Sequence, residues 1–169
     1  GNFMCGILGL VSGSDIQRYH SNFKRALEKL NHRGPDDSGT VIYKSNTSVY
    51  KTILLGHKRL SIIDLSEAGH QPMVSADGRY TIVYNGEIYN YLELKKELEN
   101  FNFEFVTNTD TEVLLSAWIL WGEKCLNELV GMFAFAIYDH KNETITCVRD
   151  FFGIKPFYYY FDANDKVFS

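Results

Sequence analysis

Apolar and polar positions along the chain indicate a protein that mixes strands with helices. Continuous apolar runs, typical of strands covered on both faces, occupy residues 5–11 and 132–138. Apolar residues at helical spacing predict one helix after Ser14-Asp15, a second from about residue 88 and a third after Thr109-Asp110. Further strands are predicted near 39–43, 48–55, 59–63, 79–84, 144–149 and 157–161.

The run at 132–138 also predicts how the layers are arranged. Phe133, Phe135 and Ile137 alternate with Ala134 and Ala136, so one face of the strand is bulky and the other is small. Both faces are apolar and have to be covered, yet the chain lacks the regular β-α-β alternation of a parallel sheet. The pattern favours an α+β fold in which two sheets stack and helices lie outside them, giving four layers in the order α/β/β/α.

Composition excludes several classes of protein. The 169 residues carry a net charge of -4 and no Lys/Arg run, which argues against a general nucleic-acid or membrane-surface binder. The longest apolar runs are far shorter than the ~20 residues that span a bilayer. The three cysteines and five histidines are scattered, so neither a disulfide framework nor a zinc site is indicated. A reducing cytoplasm is the simpler expectation.

Cys5 opens the first apolar run and is the most informative residue for function. If Met4 is removed, the thiol becomes residue one and its own α-amine can act as its base. The alternative is an inert core cysteine, because cysteine is among the most buried residue types, and position alone favours that alternative. Gly1-Asn2-Phe3 is interpreted as a cloning remnant, outside the fold. Together with Met4 it leaves the Cys5 nitrogen as an amide, which cannot serve as a base.

Three further segments carry groups suited to binding or catalysis. The Asn85 side chain and the Gly86 N–H, expected between a strand and a helix start, can donate to one oxyanion, although Asn-Gly is also an ordinary turn. Arg59 sits against an apolar strand, so its guanidinium has to reach solvent, pair with a carboxylate or bind an anion. His57 is close by and could equally be a structural hydrogen-bonder. Asp110 is expected to cap a helix, or alternatively to bind a substrate ammonium group.

These groups are complementary to one kind of ligand. Arg59 suits an α-carboxylate and Asp110 suits an α-ammonium group. Cys5, with the donors of Asn85 and Gly86, suits a side-chain carbonyl. A free amino acid with an amide side chain would satisfy all three, although spacing alone does not show that the residues converge.

A series of segments in this order resembles the glutaminase domain of glutamine-hydrolysing asparagine synthetases. These are class II glutamine amidotransferases of the N-terminal-nucleophile hydrolase group, and the resemblance covers residues 4–169. It implies the same sandwich, built from two mainly antiparallel sheets. The segments are Met4-Cys5-Gly6-Ile7, Asn31-His32-Arg33-Gly34-Pro35-Asp36, Arg59-Leu60-Ser61-Ile62-Ile63-Asp64, Ala68-Gly69-His70-Gln71-Pro72-Met73, Asn85-Gly86-Glu87-Ile88-Tyr89-Asn90, Thr109-Asp110-Thr111-Glu112, Gly131-Met132-Phe133-Ala134-Phe135-Ala136 and Arg149-Asp150-Phe151-Phe152-Gly153-Ile154-Lys155-Pro156.

The resemblance implies a catalytic cycle at Cys5. The thiol attacks the side-chain amide of glutamine with its own α-amine as base, forms a thioester, and releases ammonia and then glutamate. Asn85 and Gly86 match the oxyanion hole. The positions matching glutamine-binding residues are Arg59 (α-carboxylate), Glu87 and Asp110 (recognition, including the α-amino group), and Leu60 and Ile62 (backbone contacts).

The resemblance also implies a larger context. Relatives continue into an ATP-using synthetase domain, so glutamine and a C-terminal synthetase domain are the expected partners. ATP and Mg²⁺ are expected only in that domain. No cofactor or metal is expected in residues 4–169. Aspartate, giving asparagine, is the expected ammonia acceptor, and another carboxylate such as a sugar acid is the alternative. The competing class is a non-catalytic scaffold module. Because the chain stops at Ser169, we expect an excised, cytoplasmic domain, with a homodimer left open.

Overall fold

Two sheets and three α-helices account for most of the chain. The computed structural model describes residues 5–15, 17, 19–45, 49–60 and 69–169. Short 3₁₀ turns follow the first helix at Leu30–His32 and the third at Gly122–Asn127. The elements are β1 (Gly6–Ser12), α1 (His20–Lys29), β2 (Asp37–Lys44), β3 (Thr52–Arg59), β4 (Met73–Val74), β5 (Tyr80–Ile88), α2 (Tyr91–Asn100), α3 (Asp110–Trp121), β6 (Gly131–Asp139), β7 (Thr144–Arg149), β8 (Tyr159–Phe161) and β9 (Asp165–Phe168).

The strands form two antiparallel sheets. The first sheet has the order β2-β3-β1-β9-β8 and the second has the order β4-β5-β6-β7. Every strand pairing in the described part of the chain is antiparallel. Because β1 and β3 lie side by side in the first sheet, Cys5, which directly precedes β1, comes next to the end of β3. None of the described helices is long and apolar enough to cross a membrane.

The layers are arranged as the sequence predicted. Between the sheets, Ile7 and Leu55 pack against Val83, Ala134 and Ala136. The bulky face of β6 points to the other side, where its side chains pack with those of α2 and α3. The helix α1 covers the outer face of the first sheet. The four-layer α/β/β/α prediction is therefore confirmed.

The first helix begins later than predicted. Ser14-Asp15 was expected to cap it, but α1 starts at His20, and its N-cap residue Tyr19 makes no capping bond with its side chain. The backbone N–H of Ser14 donates instead to the Ser12 hydroxyl at 3.0 Å. The polar pair therefore belongs to the turn that ends β1, because a short hydroxyl side chain competes for local backbone groups outside helices as well as at their ends.

The third helix begins where the sequence predicted. The Thr109 side chain caps it by accepting a hydrogen bond from the Glu112 N–H at 3.3 Å. Glu112 turns back to accept hydrogen bonds from the Thr107 N–H at 2.7 Å and the Thr107 hydroxyl at 2.6 Å. This reciprocal arrangement fixes the helix start, and it places Asp110 as the first helical residue rather than as the cap.

The segment around Gly56 is one strand, not two. Strands were predicted at 48–55 and 59–63, whereas β3 runs without a break from Thr52 to Arg59. An added Cβ at Gly56 would lie 3.0 Å from the side chain of Leu27 on α1. The glycine thus makes room for the helix instead of ending the strand. The remainder of the predicted strand, from residue 61 on, lies outside the described residues.

The Asn85-Gly86 pair lies inside a strand. It was expected to form a turn before a helix starting near residue 88, but β5 continues to Ile88 and α2 begins at Tyr91. Gly86 lies opposite Phe133 of β6, and a Cβ added to it would come 2.3 Å from the Met132 carbonyl oxygen. The expectation of a helix-start donor is therefore wrong, because Gly86 serves close strand pairing rather than a turn.

Candidate active site

Cys5 lies immediately before β1, at the edge of the interior between the sheets. Its Sγ accepts a hydrogen bond from the Leu60 N–H at 3.3 Å and lies 3.7 Å from the Leu60 carbonyl oxygen. The pairing of Gly6 with Lys58 brings this thiol to the end of β3, where Arg59 closes the strand. The position predicted as nucleophile is therefore half-buried and fixed by backbone contacts.

Several groups act on the acidity of this thiol. Burial raises the pKa of Cys5, and the negative charge of Asp110 adds to the rise. The Leu60 N–H and the positive charges of Arg59 and Lys155 oppose the rise in pKa. Because burial dominates, the resting group is a neutral thiol, and it needs a base to become a nucleophile.

Arg59 is a buried cation beside Cys5. The residue is 7% exposed, and its carbonyl accepts a hydrogen bond from the Asp36 N–H at 3.0 Å. A Cβ added at Gly69 would lie 2.3 Å from the Arg59 Nη2 atom. The guanidinium therefore occupies space that only glycine at position 69 leaves open. Its planar fork, held at the end of the strand, is suited to a carboxylate.

Asn85 and Gly86 lie on β5 of the second sheet, next to a contact with the first sheet. The His57 Nε2 lies 2.9 Å from the carbonyl oxygen of Tyr84, which directly precedes Asn85. Because a carbonyl oxygen can only accept, Nε2 carries the proton. Burial lowers the pKa of His57 to about 4, so the imidazole is neutral near pH 7. His57 is thus a hydrogen-bonder that joins β3 to β5 beside the two candidate oxyanion donors.

Asp110 is a buried carboxylate at the start of α3. Its Oδ2 accepts hydrogen bonds from the Tyr84 hydroxyl at 2.7 Å and the Ile88 N–H at 3.0 Å. Burial raises the pKa of Asp110, and these two donors oppose the rise. The residue is 5% exposed, so its charge acts in a poorly solvated place. Such a carboxylate is suited to a ligand ammonium group.

The predicted site residues lie on both sheets and the third helix. Arg59 and Asp110 both act electrostatically on the Cys5 thiol, and Glu87 acts on Tyr84. Leu60 is present, and its backbone is engaged by Cys5. Ile62 lies outside the described residues. The sequence predicted groups that bind a ligand carboxylate, an ammonium group and a carbonyl. In the structure these groups are brought to one end of the sandwich.

Lys155 is a site residue that sequence reasoning did not single out. It is 6% exposed, and its charge acts on Cys5. The Asp150 carboxylate fixes its loop by accepting hydrogen bonds from the N–H groups of Phe133, Ile154 and Lys155, at 3.2, 2.9 and 3.0 Å. The only sequence signal for it is a lysine between apolar residues and a proline.

The described residues contain no group of three or more His, Cys, Asp or Glu side chains arranged to hold a metal ion. The groups that carry the candidate chemistry are a thiol, a guanidinium, two carboxylates and amide donors. These are the groups of a covalent acyl-transfer site.

Residues 4–169 match the family model described as a glutamine amidotransferase domain. This chain belongs to that family. It is 48% identical, over 98% of its length, to a Methanocaldococcus jannaschii protein provisionally named glutamine-hydrolyzing asparagine synthetase 2. It is 40% identical, over 98% of its length, to the glutamine-hydrolyzing asparagine synthetase 3 of Bacillus subtilis. The amidotransferase domain spans only 34% and 26% of these two relatives.

A solved structure supports the fold of the amidotransferase domain. The glutamine phosphoribosylpyrophosphate amidotransferase of Bacillus subtilis, complexed with ADP and GMP, superposes with a TM-score of 0.76. The match covers 96% of this chain and 41% of that one, at 21% sequence identity. The chain therefore shares the fold of this amidotransferase.

Proposed function

We propose that the amidotransferase domain hydrolyses the side-chain amide of glutamine to glutamate and ammonia. The observation that carries the proposal is that the positive charge of Arg59 and the negative charge of Asp110 both act on the Cys5 thiol. Charges of these two signs near one thiol suit the carboxylate and the ammonium of an amino acid whose side chain reaches the sulfur. Family membership supports the same reaction.

The reaction follows from the groups at the site. The Cys5 thiol loses its proton to its own α-amine, and Sγ attacks the amide carbon. The Asn85 side chain and the Gly86 N–H stabilise the resulting oxyanion. The C–N bond then breaks, the proton returns to the leaving nitrogen, and ammonia departs from a thioester. Water attacks the thioester with the same amine as base, which gives glutamate and restores the thiol.

Recognition of glutamine uses the surrounding charges. The guanidinium of Arg59 binds the α-carboxylate through two parallel hydrogen bonds. Asp110 and Glu87 bind the α-ammonium group, and the backbone of Leu60 contacts the ligand. A substrate that lacks either charge would lose one of these charge-assisted contacts. The site is thus built to reject simple amides.

The α-amine of Cys5 has to be free for this reaction. Gly1 to Met4 precede Cys5 in the chain, so the Cys5 nitrogen is an amide there. An amide nitrogen cannot take the proton of the thiol. We therefore propose that turnover begins only when Cys5 is the first residue.

The ammonia would serve a synthetase domain beyond this amidotransferase domain. The names of the relatives favour aspartate as the acceptor and asparagine as the product. Another carboxylate, such as a sugar acid, is the alternative, because none of the proposed site residues recognises the molecule that accepts the ammonia. ATP and Mg²⁺ would be needed only in that further domain.

An electrophilic glutamine analogue tests the proposal. With Cys5 as first residue, we expect stoichiometric labelling at Cys5 and ammonia release from glutamine. Burial raises the pKa of Cys125 to about 12, so this thiol should stay unlabelled, while Cys147 is exposed and its labelling is measured on its own peptide. Cys5→Ala is the matched control and should abolish both signals. A folded, processed protein that is neither labelled nor active would favour a scaffold role.

A further inference from the structure

Tyr84 is bound through each of its polar groups to a different part of the molecule. Its hydroxyl donates to Asp110 on α3 at 2.7 Å, and its carbonyl accepts from His57 on β3 at 2.9 Å. Its backbone N–H donates to the Gln71 side chain at 2.7 Å, and Gln71 donates onward to the Thr111 hydroxyl at 3.3 Å. The residue is 3% exposed, so these bonds are shielded from solvent.

Two hydrogen bonds hold the Asp110 carboxylate by one of its oxygens. The Tyr84 hydroxyl and the Ile88 N–H both end on Oδ2. The orientation of the carboxylate is thereby restricted. A charged acceptor of this kind is held more firmly than a neutral one, because hydrogen bonds to ionised groups are roughly twice as strong.

The hydroxyl also affects the charge of Asp110. Burial raises the pKa of Asp110, whereas the Tyr84 hydroxyl and the Ile88 N–H lower it. Other ionisable groups in this neighbourhood are Cys5, on which Asp110 acts together with Arg59 and Lys155, and Glu87, which acts with Asp110 on Tyr84. Loss of the hydroxyl would leave the effect of burial less opposed, and the carboxylate would protonate at higher pH.

We infer that Tyr84 is a specificity-determining residue, which holds Asp110 oriented and charged so that the site selects amides carrying an α-ammonium group. It acts through Asp110 and is therefore a positioning residue. The inference rests on the proposed glutaminase function and names what distinguishes glutamine from its analogue without the amino group, 4-carbamoylbutanoate. Because Tyr84 directly precedes Asn85, the same residue ties ammonium recognition to the oxyanion donors.

The test compares two ligands in three proteins. The chain with its intact N-terminus is expected to bind without turnover, so calorimetric affinities of L-glutamine and 4-carbamoylbutanoate can be measured at pH 7 for wild type, Tyr84→Phe and Tyr80→Phe. We expect Tyr84→Phe to weaken glutamine binding about ten-fold and to change analogue binding less than about two-fold. Tyr80 lies in the same strand and core cluster, so Tyr80→Phe should change neither affinity.

A second background separates positioning from structural damage. In Asp110→Asn, where the carboxylate is already lost, adding Tyr84→Phe should weaken glutamine binding no further. In the processed enzyme, Tyr84→Phe should move the acid limb of kcat/KM for glutamine to higher pH. Equal weakening for both ligands, no weakening, or an undiminished effect in the Asp110→Asn background would overturn the inference. A wild-type protein that binds no glutamine would instead overturn the proposed function.

Discussion

The imidazole of His57 donates a hydrogen bond across the interior of the sandwich to the carbonyl oxygen of Tyr84, over 2.9 Å. This contact links the strand that ends at Arg59 with the strand that carries Asn85. It therefore connects the proposed carboxylate-binding side of the site to the proposed oxyanion donors through a buried neutral side chain. The His57 Nδ1 is buried without a hydrogen-bond partner among the described residues.

His57 predicts a specific pH dependence of stability. Burial lowers its pKa to about 4, below the ~6.5 of an unfolded histidine, so the unfolded chain binds more protons between these values. The free energy of unfolding should fall as pH drops from about 6.5 to about 4, by up to about 3 kcal/mol from this group. Denaturant titrations of wild type and His57→Leu across this range would measure it. Parallel curves for the two proteins would contradict the prediction.

Gly69→Ala should damage glutamine binding more than stability. Its methyl group would collide with the Arg59 guanidinium, since the added Cβ would lie 2.3 Å from Nη2. We expect at least a ten-fold rise in KM for glutamine in the processed enzyme, because the carboxylate partner is displaced. Gly13→Ala is the control, because its added Cβ meets only the Val49 carbonyl oxygen at 3.4 Å and the Asn164 carbonyl oxygen at 3.8 Å. Equal KM values for the two variants would refute this account.

Lys155 should control the reactivity of the Cys5 thiol. Its positive charge lowers the pKa of Cys5, so Lys155→Met should move the pH midpoint of Cys5 alkylation upward. Lys155→Arg keeps the charge and should leave the midpoint close to that of wild type. Peptide mass spectrometry after iodoacetamide treatment at a series of pH values would report Cys5 separately from the other cysteines. A midpoint unchanged in Lys155→Met would exclude the electrostatic effect.

The N-terminal residues should decide whether the domain turns over. With Gly1 to Met4 in place, the Cys5 nitrogen is an amide and general base catalysis is lost. We expect ammonia release to be about 10²- to 10⁴-fold slower than with Cys5 as first residue. The intact N-terminus has to be verified by mass for the comparison. Full turnover by such a protein would show that another group is the base.

The arrangement of the layers could be predicted from the sequence because the residue pattern of one strand indicates it. Along β6 the bulky Phe133 and Phe135 point to the helices, while Ala134 and Ala136 lie between the sheets. A period of two fixes which residues share a face, so a strand apolar on both faces already requires two covering layers. The starts of helices were harder to predict, as at His20, because the same short polar residues favour both helix caps and turns.

The site was partly predictable, for a chemical reason. Cys5, Arg59 and Asp110 stand out because a thiol, a cation and a carboxylate next to apolar segments need partners or a ligand. Tyr84 and Lys155 do not stand out, since their importance depends on the chain returning to the site from distant positions. The contact of Tyr84 with Asp110 spans 26 residues, and no local sequence pattern predicts it.

The Asp150 loop has an energetic consequence for substrate capture. Its carboxylate collects three backbone N–H groups, and the Arg149 guanidinium binds the Lys155 carbonyl oxygen at 2.9 Å and the Gly153 carbonyl oxygen at 2.6 Å. The conformational entropy of this segment is therefore given up during folding and not when glutamine arrives. Binding then carries little ordering penalty in this part of the site, and the interaction free energy can appear as affinity or as rate.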